Sequence, residues 1–398
     1  MDYSIPASLQ QRLDEANAIL HHDIIPNEAL LLTGQYAELM PAIEAIQDKV
    51  KAKGLWAPNL PKSIGGSFTS LVDLGLFGEV LGQSPLGHIC FGTQAPDAGN
   101  AELLHLHGSE AQNEKWLQPL AAGNIRSCFA MTEPHTAGSN PTLLDSTAVL
   151  DGDDWVINGR KWFTTAADGA EFTIAMVITD PDAAKHLRAS MIIVPLDNPG
   201  YQLIRNIPVM GHAGQGYFSH AEVAFNDCRV PKDHLLGKQG QGFLLAQERL
   251  GPGRIQHCMR WLGICQRALD EMCSYVKTRQ INSRETLADQ QLIKQSIAKS
   301  AAELSAARAL VLETAWRVEN EGFKAAKDNI SLIKFYTADV LQKVVDRAIQ
   351  SHGALGVTDD TILSFFYREE RAARIYDGPD EVHQISVAKS ILNNTATK

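Results

Sequence analysis

The sequence contains no long apolar run, no paired-cysteine motif and no low-complexity tract. No apolar stretch reaches the ~18 residues that a membrane-spanning helix requires, so no transmembrane segment is predicted. The six cysteines form no CxxC pair and have no histidine at zinc-ligand spacing, which predicts reduced, mostly buried thiols and no metal site. Basic residues number 36 against 46 acidic ones, and the formal charge of −10 argues against a nucleic-acid partner.

The beginning of the chain resembles neither a secretory signal peptide nor an Arg-rich transit peptide, and this predicts a cytoplasmic protein. The length of 398 residues and the hydrophobic fraction of 44% are typical of a folded protein with two or three structural units. Disorder is therefore not expected outside the termini, and an enzyme is the default interpretation.

The hydrophobic period changes twice along the chain. Apolar spacings of three and four predict a helical domain over residues 1–126, alternation predicts a β domain over 127–240, and helical spacing returns over 241–398. The segments that carry these patterns are, for helices, Leu9–Leu20, Met40–Gly54, Ser70–Gln83 and the apolar stripe from Ile293 to Val318, and, for strands, Ser146–Asp151, Asp154–Gly159, Phe172–Thr179, Ser190–Leu196 and His220–Cys228, with a turn at Asp151-Gly152 between the first two strands. The predicted fold class is mainly α with a middle β domain. Because helices and strands do not alternate, a doubly wound nucleotide fold is disfavoured, and the glycines of Gly237–Gly242 are interpreted as a turn before a helix.

Four segments, in a fixed order, resemble motifs of the acyl-CoA dehydrogenase family. Phe129–Asn140 (FAMTEPHTAGSN) is similar to the family's MTEP-x-x-(x)-GSD loop, and Ile157–Thr165 (INGRKWFTT) to its NGxKxWIT strand. Arg229–Gly237 precedes the ERLGPGR string that ends at Arg254, and Arg374–His383 (RIYDGPDEVH) stands in the place of IYEGTxxIxR. Together the segments sample all three regions of the chain.

The resemblance implies a specific architecture and cofactor. It implies a helical N-terminal domain, a β-barrel or sandwich middle domain and a C-terminal four-helix bundle, with non-covalently bound FAD. It also implies an acyl-CoA substrate, electron-transfer flavoprotein as the acceptor, and a homodimer or homotetramer in which a neighbouring subunit holds the adenine half of FAD.

Removal of two hydrogens from a saturated thioester requires a base for the α proton, a hydrogen-bond site on the thioester oxygen and a hydride acceptor. By resemblance, Asp377 is the base and its backbone N–H binds the thioester oxygen. The alternative is that Asp377 only caps the helix that follows Pro379. The family's usual residue is Glu, and Asp is one methylene shorter. In some members the base lies one residue before the arginine of the ERLGPGR-like string, but Gly253 occupies that position here.

The resemblance also assigns cofactor- and substrate-binding residues. Ordinary core packing is the alternative for Phe129 and Phe163, a solvated surface for Arg279, and a helix-start salt bridge for Arg254. Asp380 and Glu381 are expected on the following helix, facing the flavin or solvent, and histidines 135, 212 and 383 are expected in loops or on the surface. Ser139, Arg254 and Gly378 are assigned to the substrate. The residues assigned to the flavin are Phe129, Met131, Thr132, Gly138, Ser139, Trp162, Phe163, Thr165, Arg279, Gln350, Gly353, Gly378, Pro379 and Glu381.

Several departures from the common motifs resemble the branch that contains acyl-CoA dehydrogenase family members 10 and 11. They are Asp377, Pro379 and one extra residue in the MTEP loop, whereas Asn140 departs even from that branch. Three functions stay open: dehydrogenation, a lyase-like loss of phosphate from a 4-phosphoryloxyacyl-CoA, and catalytically silent CoA binding.

Overall fold

The structure, a computed structural model, describes residues 5–68 and 70–394. The first part of the chain is helical, with short loops and single 3-10 or π turns between helices. The Ser70 hydroxyl accepts a hydrogen bond from the Asp73 N–H and so caps α4. The helical prediction for this region is confirmed. The helices are α1 Ala7–Ile19, α2 Glu28–Leu32, α3 Tyr36–Ala52, α4 Leu71–Leu81, α5 Gly87–Cys90, α6 Asp97–His107, α7 Glu110–Gln112 and α8 Gln118–Ala121.

A single sheet follows, with strand order β6-β7-β3-β2-β4-β5-β8 and β1 paired with β4. The β1–β4 pairing is parallel, and β2 also meets β4 in parallel at one residue pair, whereas the other pairings are antiparallel. The strands are β1 Ser127–Ala130, β2 Thr147–Asp151, β3 Asp154–Thr165, β4 Phe172–Ile178, β5 Ala189–Pro195, β6 Tyr201–Asn206, β7 His220–Pro231 and β8 Leu235–Leu236.

The predicted turn between β2 and β3 is present. Asp151 pairs with Asp154, and Gly152 in the loop between them has φ +65°. Glycine adopts this left-handed conformation without steric cost. Strands β4 and β5 are almost entirely buried, and their inward side chains form the core with Trp155, Phe225 and Val230. Residues of β1 and β3 belong to this hydrophobic core, and these strands lead into the MTEP motif and contain the NGRKW motif.

Up to residue 394, where the described part of the chain ends, five helices follow the sheet, and α11 packs against α10, α12 and α13. The glycine-rich segment before them is the predicted turn, since Gly237 and Gly240 have positive φ and the next helix begins at Gly242. The prediction that helices return after the sheet is confirmed. These helices are α9 Gly242–Thr278, α10 Gln291–Glu321, α11 Lys327–His352, α12 Ile362–Glu370 and α13 Asp380–Asn394.

The apolar stripe predicted on α10 is buried only along part of the helix. Leu304, Val311, Ala315 and Val318 are buried, but Ala301 is exposed and the apolar residues before it are at most half-buried. The helical period thus identified the helix correctly but not the extent of its buried face.

The chain divides into two compact units. The helical unit comprises residues up to 56, 68–91 and the chain from 251 onward, and the sheet unit comprises 57–67 and 92–250. The division falls within α9. Across the described ranges, no helix combines the length and apolarity needed to cross a bilayer.

All six cysteines are unpaired, and all but Cys273 are buried. Burial raises the pKa of every one of these thiols, to about 12 for Cys90, Cys128 and Cys258 and to about 11 for Cys228. The prediction of reduced, mostly buried thiols is confirmed.

Candidate active site

The predicted site residues fall into two groups, one in each unit. In the sheet unit, the MTEP and NGRKW segments are joined by a buried ion pair. Lys161 Nζ lies 2.7 Å from Glu133 Oε1 and donates to the carbonyls of Met131 and Met176 at 3.0 and 2.6 Å. The Glu133 carboxylate also accepts the N–H groups of Asp145 and Ser146. Sequence reasoning gave neither charged residue a role, although both stand inside the quoted motifs.

Burial lowers the pKa of Lys161 to about 8 despite the opposing effect of Glu133. Burial alone would raise the pKa of Glu133, but the Lys161 ammonium and the hydrogen bonds bring it below its usual value. Both groups are therefore ionised at neutral pH, and their attraction fixes the end of β1 against β3.

A β-bulge presents the two aromatic residues of the NGRKW segment. The pairing of β3 with β7 shifts between Lys161 and Thr164, and Phe163 within the shift has φ +49°. Trp162 and Phe163 pack edge to face with centroids 5.0 Å apart. Phe163 is 46% exposed, so the core-aromatic alternative for this residue is wrong. The bulge turns a large apolar ring outward.

Other predicted flavin residues lie on β1, on β3 and in the loop after β1. The Trp162 N–H donates to the Thr132 carbonyl, and the Thr132 hydroxyl donates to the Trp162 carbonyl. The Thr165 hydroxyl lies 2.9 Å from His220 Nδ1. Phe129 is half-buried at the end of β1, with the Arg249 guanidinium 4.3 Å from its ring centroid. Thr132, Trp162 and Phe163 are therefore brought together.

The loop after the MTEP motif closes on itself. It surrounds a small pocket that Met131, Thr132 and Gly138 help to line, and a Cβ on Gly138 would meet Thr132 at 3.2 Å. Ser139 is exposed. The Asn140 side-chain oxygen accepts from the N–H and hydroxyl of Thr142. Asn140, which departs from the family motif, therefore stabilises the local turn through its side chain.

In the helical unit, the backbone of Asp377 is held from two helices. Its carbonyl accepts a hydrogen bond from Arg254 Nε of α9 at 3.1 Å and lies 3.1 Å from His383 Nε2 of α13. Asp377 has φ +55°, a left-handed conformation that Asp tolerates better than most residues. Within the described ranges, no atom accepts a hydrogen bond from the Asp377 N–H. The carbonyl is fixed and the amide is available.

The preceding residue, Tyr376, is held by a buried polar network. Its hydroxyl accepts from Arg260 at 2.8 Å and from Trp261 Nε1 at 3.0 Å. Both donors also bond Glu370, which makes a two-pronged ion pair with Arg260 at 2.7 and 3.1 Å. Burial raises the pKa of Tyr376 well above its usual value, so the hydroxyl stays neutral. Asp377 thus follows directly after a residue that several buried hydrogen bonds hold in place.

The structure corrects three interpretations of this segment. His383 is buried rather than in a loop or on the surface, and its Nδ1 lies 3.1 Å from the Ser331 hydroxyl. Asp380 is buried and paired with Arg374 at 2.6 Å, so it does not face solvent. Arg254 is not at the start of a helix, because α9 begins twelve residues earlier, at Gly242.

Two further residues were missed from the sequence. His257 Nε2 is 3.4 Å from the Asp377 carboxylate, and its position three residues after Arg254 on α9 was the available signal. Lys334 of α11 is buried, with Nζ 3.6 Å from the Asp380 carboxylate. Its burial lowers the pKa of the amine, with Asp380 and Asp377 acting in the opposite direction. The segment around Asp377 therefore combines acidic and basic groups from three helices.

The remaining predicted residues of this unit lie apart in the fold or on its surface. Arg279 follows α9, Gln350 is in the last turn of α11, and both are exposed. Tyr275 and His352 stack with centroids 4.2 Å apart, which joins the two helix ends. Gly353 has φ +61° and ends α11. Pro379 and Glu381 lie at the start of α13, where Glu381 is exposed.

Comparison with known proteins identifies the family. Family models for the acyl-CoA dehydrogenase N-terminal, middle and C-terminal domains match residues 9–124, 128–228 and 240–392. The chain belongs to the acyl-CoA dehydrogenase family. It is an oxidoreductase of the acyl-CoA dehydrogenase class, and this family is flavin-dependent. The family resemblance and the fold class inferred from the sequence are confirmed.

Individual acyl-CoA dehydrogenases agree with this assignment. Probable acyl-CoA dehydrogenase FadE2 of Mycobacterium tuberculosis is 44% identical, over 89% of this chain and 86% of its own length. Acyl-CoA dehydrogenase family member 11 of Mus musculus is 39% identical, again over 89% of this chain, which spans only 46% of that longer protein. A solved structure from Mycobacterium abscessus, of a protein assigned as an acyl-CoA dehydrogenase, has TM-score 0.94 and 35% identity, and the match covers 99% of this chain and 100% of that one.

The sheet unit of this acyl-CoA dehydrogenase has features that fit a planar aromatic cofactor. An exposed Phe163 ring on a strained bulge loses the stability of burial unless another group covers it. The neighbouring Gly138 leaves room for close approach to the loop backbone. The residues present therefore fit a flavin ring system.

Gly378 is expected to be required for the conformation of the Asp377 segment. Its φ is +101°, and a Cβ there would lie 2.8 Å from His383 Nε2. We expect Gly378→Ala to cost about 1–3 kcal/mol of unfolding free energy because strain and displacement of His383 combine. Urea unfolding would measure the loss. Gly253→Ala, in a helical position where a Cβ meets nothing within 4 Å, is the control and should be neutral or stabilising. Equal stability of both variants would contradict the steric argument.

Proposed function

We propose that this chain dehydrogenates an acyl-CoA thioester across its α and β carbons, with Asp377 as the base and FAD as the cofactor. The observation that carries the proposal is the state of Asp377: its carbonyl is held by two helices, its N–H has no partner among the described residues, and its carboxylate is 18% exposed. A base and an adjacent free hydrogen-bond donor are what α-proton removal requires.

The proton step follows from these two groups of one residue. The Asp377 N–H would bind the thioester oxygen and stabilise negative charge as it develops there, while the carboxylate takes the proton from the α carbon. When bound, FAD would supply the acceptor for the hydride from the β carbon. Arg254 would act by holding the Asp377 carbonyl, which keeps the backbone of this residue in place between the helices.

The cofactor contacts are proposed on the same basis. Phe129, Met131, Thr132, Trp162, Phe163 and Thr165 would bind the ring system, and Gly138 and Ser139 the adjoining loop. Gly378, Pro379 and Glu381 would lie at the cofactor from the Asp377 segment, with Ser139, Arg254 and Gly378 at the substrate. The domain bounds 1–126, 127–240 and 241–398 belong to the same proposal.

The proposal extends to partners. Arg279, Gln350 and Gly353 would bind the adenine half of FAD from a neighbouring subunit, in a homodimer or homotetramer. Their common feature is location at joined helix ends, where Tyr275 stacks on His352. Electrons would pass to an electron-transfer flavoprotein.

Anaerobic absorbance titration tests the proposed reaction. The purified flavoprotein is titrated with saturated acyl-CoAs of several chain lengths and with a 4-phosphoryloxyacyl-CoA, and inorganic phosphate is assayed in parallel. We expect a saturated thioester to bleach the flavin band near stoichiometric amounts, because hydride transfer reduces the ring. Phosphate release without bleaching would replace the proposal by the lyase reaction. If neither bleaching nor phosphate release were observed, the protein would be a catalytically silent CoA-binding protein.

A further inference from the structure

His257 is fixed beside the proposed base. It lies on α9, and its Nε2 is 3.4 Å from Asp377 Oδ2. Its ring is 5.2 Å from the Tyr376 ring and stacks at 6.1 Å with an interplanar angle of 20° on Trp261, one turn further along α9. Tyr376 and Trp261 are themselves joined by a hydrogen bond. The imidazole is therefore oriented by two rings that the buried network immobilises.

His257 contacts the carboxylate of Asp377, which is the proposed base, and not the backbone of that residue. Arg254 and His383 hold the backbone carbonyl, whereas His257 faces the carboxylate. At 3.4 Å the two groups are slightly beyond an ordinary hydrogen bond but well within ion-pair range. Asp377 and His257 are 18% and 22% exposed, so solvent screens the interaction less than at a surface pair.

Among the described charged and titratable groups around Asp377, His257 is the one whose ion-pair contact is with the Asp377 carboxylate. Burial, followed by Arg260, lowers the pKa of His88 to about 3 and keeps it neutral. Tyr376 stays neutral because burial raises its pKa. Arg254 and Arg260 are permanently charged, and Glu370 pairs with Arg260. Lys334 faces Asp380, and His383 has a pKa lowered to about 4, chiefly by burial.

We propose that His257 is a positioning residue for Asp377, which orients the carboxylate toward the α carbon and, as imidazolium, stabilises its ionised form. An aspartate has only two side-chain torsions, and a cationic imidazole beside one carboxylate oxygen favours one orientation of that group. A positive charge within about 4–6 Å favours the carboxylate over the carboxylic acid. Loss of His257 is therefore expected to reduce the fraction of protein with an ionised base in the acid range. This inference rests on the proposed role of Asp377.

The test compares His257→Gln and His257→Leu with the wild-type holoenzyme. Deuterium exchange at the α carbon of a saturated acyl-CoA is followed against pH, with FAD content and thermal unfolding measured on the same samples. We expect the acid limb of the exchange profile to move to higher pH in both variants, because a cationic neighbour of the carboxylate is lost. Because the Gln amide still donates a hydrogen bond, His257→Gln should retain more of the maximal exchange rate than His257→Leu. His22→Gln, at an exposed position in the π turn after α1, is the matched control.

A second readout does not depend on the flavin. The side-chain carboxyl of Asp377, assigned in ¹³C NMR spectra by its loss in Asp377→Asn, is titrated in wild-type and His257→Gln protein. A shifted titration supports the inference, and identical titrations together with an unchanged exchange profile would overturn it. Absence of α-carbon exchange in the wild type would instead contradict the proposed function. Failure of the proposed function and failure of the inference about His257 therefore give different results. If His257→Leu unfolds, His257→Gln alone decides.

Discussion

Asp377→Asn is expected to abolish α-proton exchange and flavin reduction by acyl-CoA while leaving the bound flavin yellow. A carboxamide cannot accept the proton, and loss of a general base lowers rates by about 10²–10⁴-fold. Asn tolerates the left-handed φ of +55°, so the backbone and its hydrogen bonds to Arg254 and His383 should persist. Rapid-mixing absorbance and α-deuterium exchange would measure the effect.

Asp48→Asn is the matched control for this experiment, since it makes the same chemical change at an exposed position of α3. Both proteins should carry the same FAD content and unfold at similar temperatures. If Asp377→Asn turned over at the wild-type rate, Asp377 would not be the base, and its function would be limited to the turn before α13.

Lys161→Met is expected to destabilise the sheet unit by about 3–5 kcal/mol. It removes a fully buried ammonium and leaves Glu133 as a buried charge whose remaining hydrogen bonds, among the residues that the structure describes, come from two backbone N–H groups. The carbonyls of Met131 and Met176 also lose their donor. Urea unfolding monitored by far-UV circular dichroism would give the change in unfolding free energy.

Two further variants distinguish the effect of an uncompensated buried charge from the effect of losing a lysine side chain. Adding Glu133→Gln to Lys161→Met removes the uncompensated charge and should recover part of the stability. Lys343→Met breaks an exposed ion pair with Asp339 on α11 and should cost at most about 0.5 kcal/mol. Equal losses for Lys161→Met and Lys343→Met would show that the buried pair is not needed to hold the two motifs together.

Much of the fold was predictable because it depends on local patterns. The apolar period identified α1, α3, α4 and α10, and alternation identified β2 to β5 and β7. Strands β1, β6 and β8 were not predicted, since they are short or lie where the alternation is weak. The parallel pairing of β1 with β4 joins segments about forty residues apart, and no local pattern encodes it.

The candidate site was predictable only through its motifs. Resemblance pointed to Asp377, but the partners of that residue come from distant parts of the chain: Arg254 and His257 precede it by more than a hundred residues. Of the two surroundings expected for Asp380, flavin or solvent, its burial and its pairing with Arg374 exclude solvent. Such contacts depend on helix packing, which the order of residue types does not specify.

The buried cysteines have a consequence for a protein that handles thioesters. A thiolate attacks the carbonyl of an acyl thioester and takes over its acyl group, whereas a protonated thiol reacts far more slowly. Five of the six thiols are inaccessible, and the raised pKa of all six keeps them protonated at neutral pH. Transfer of an acyl group from a thioester to these thiols is therefore disfavoured.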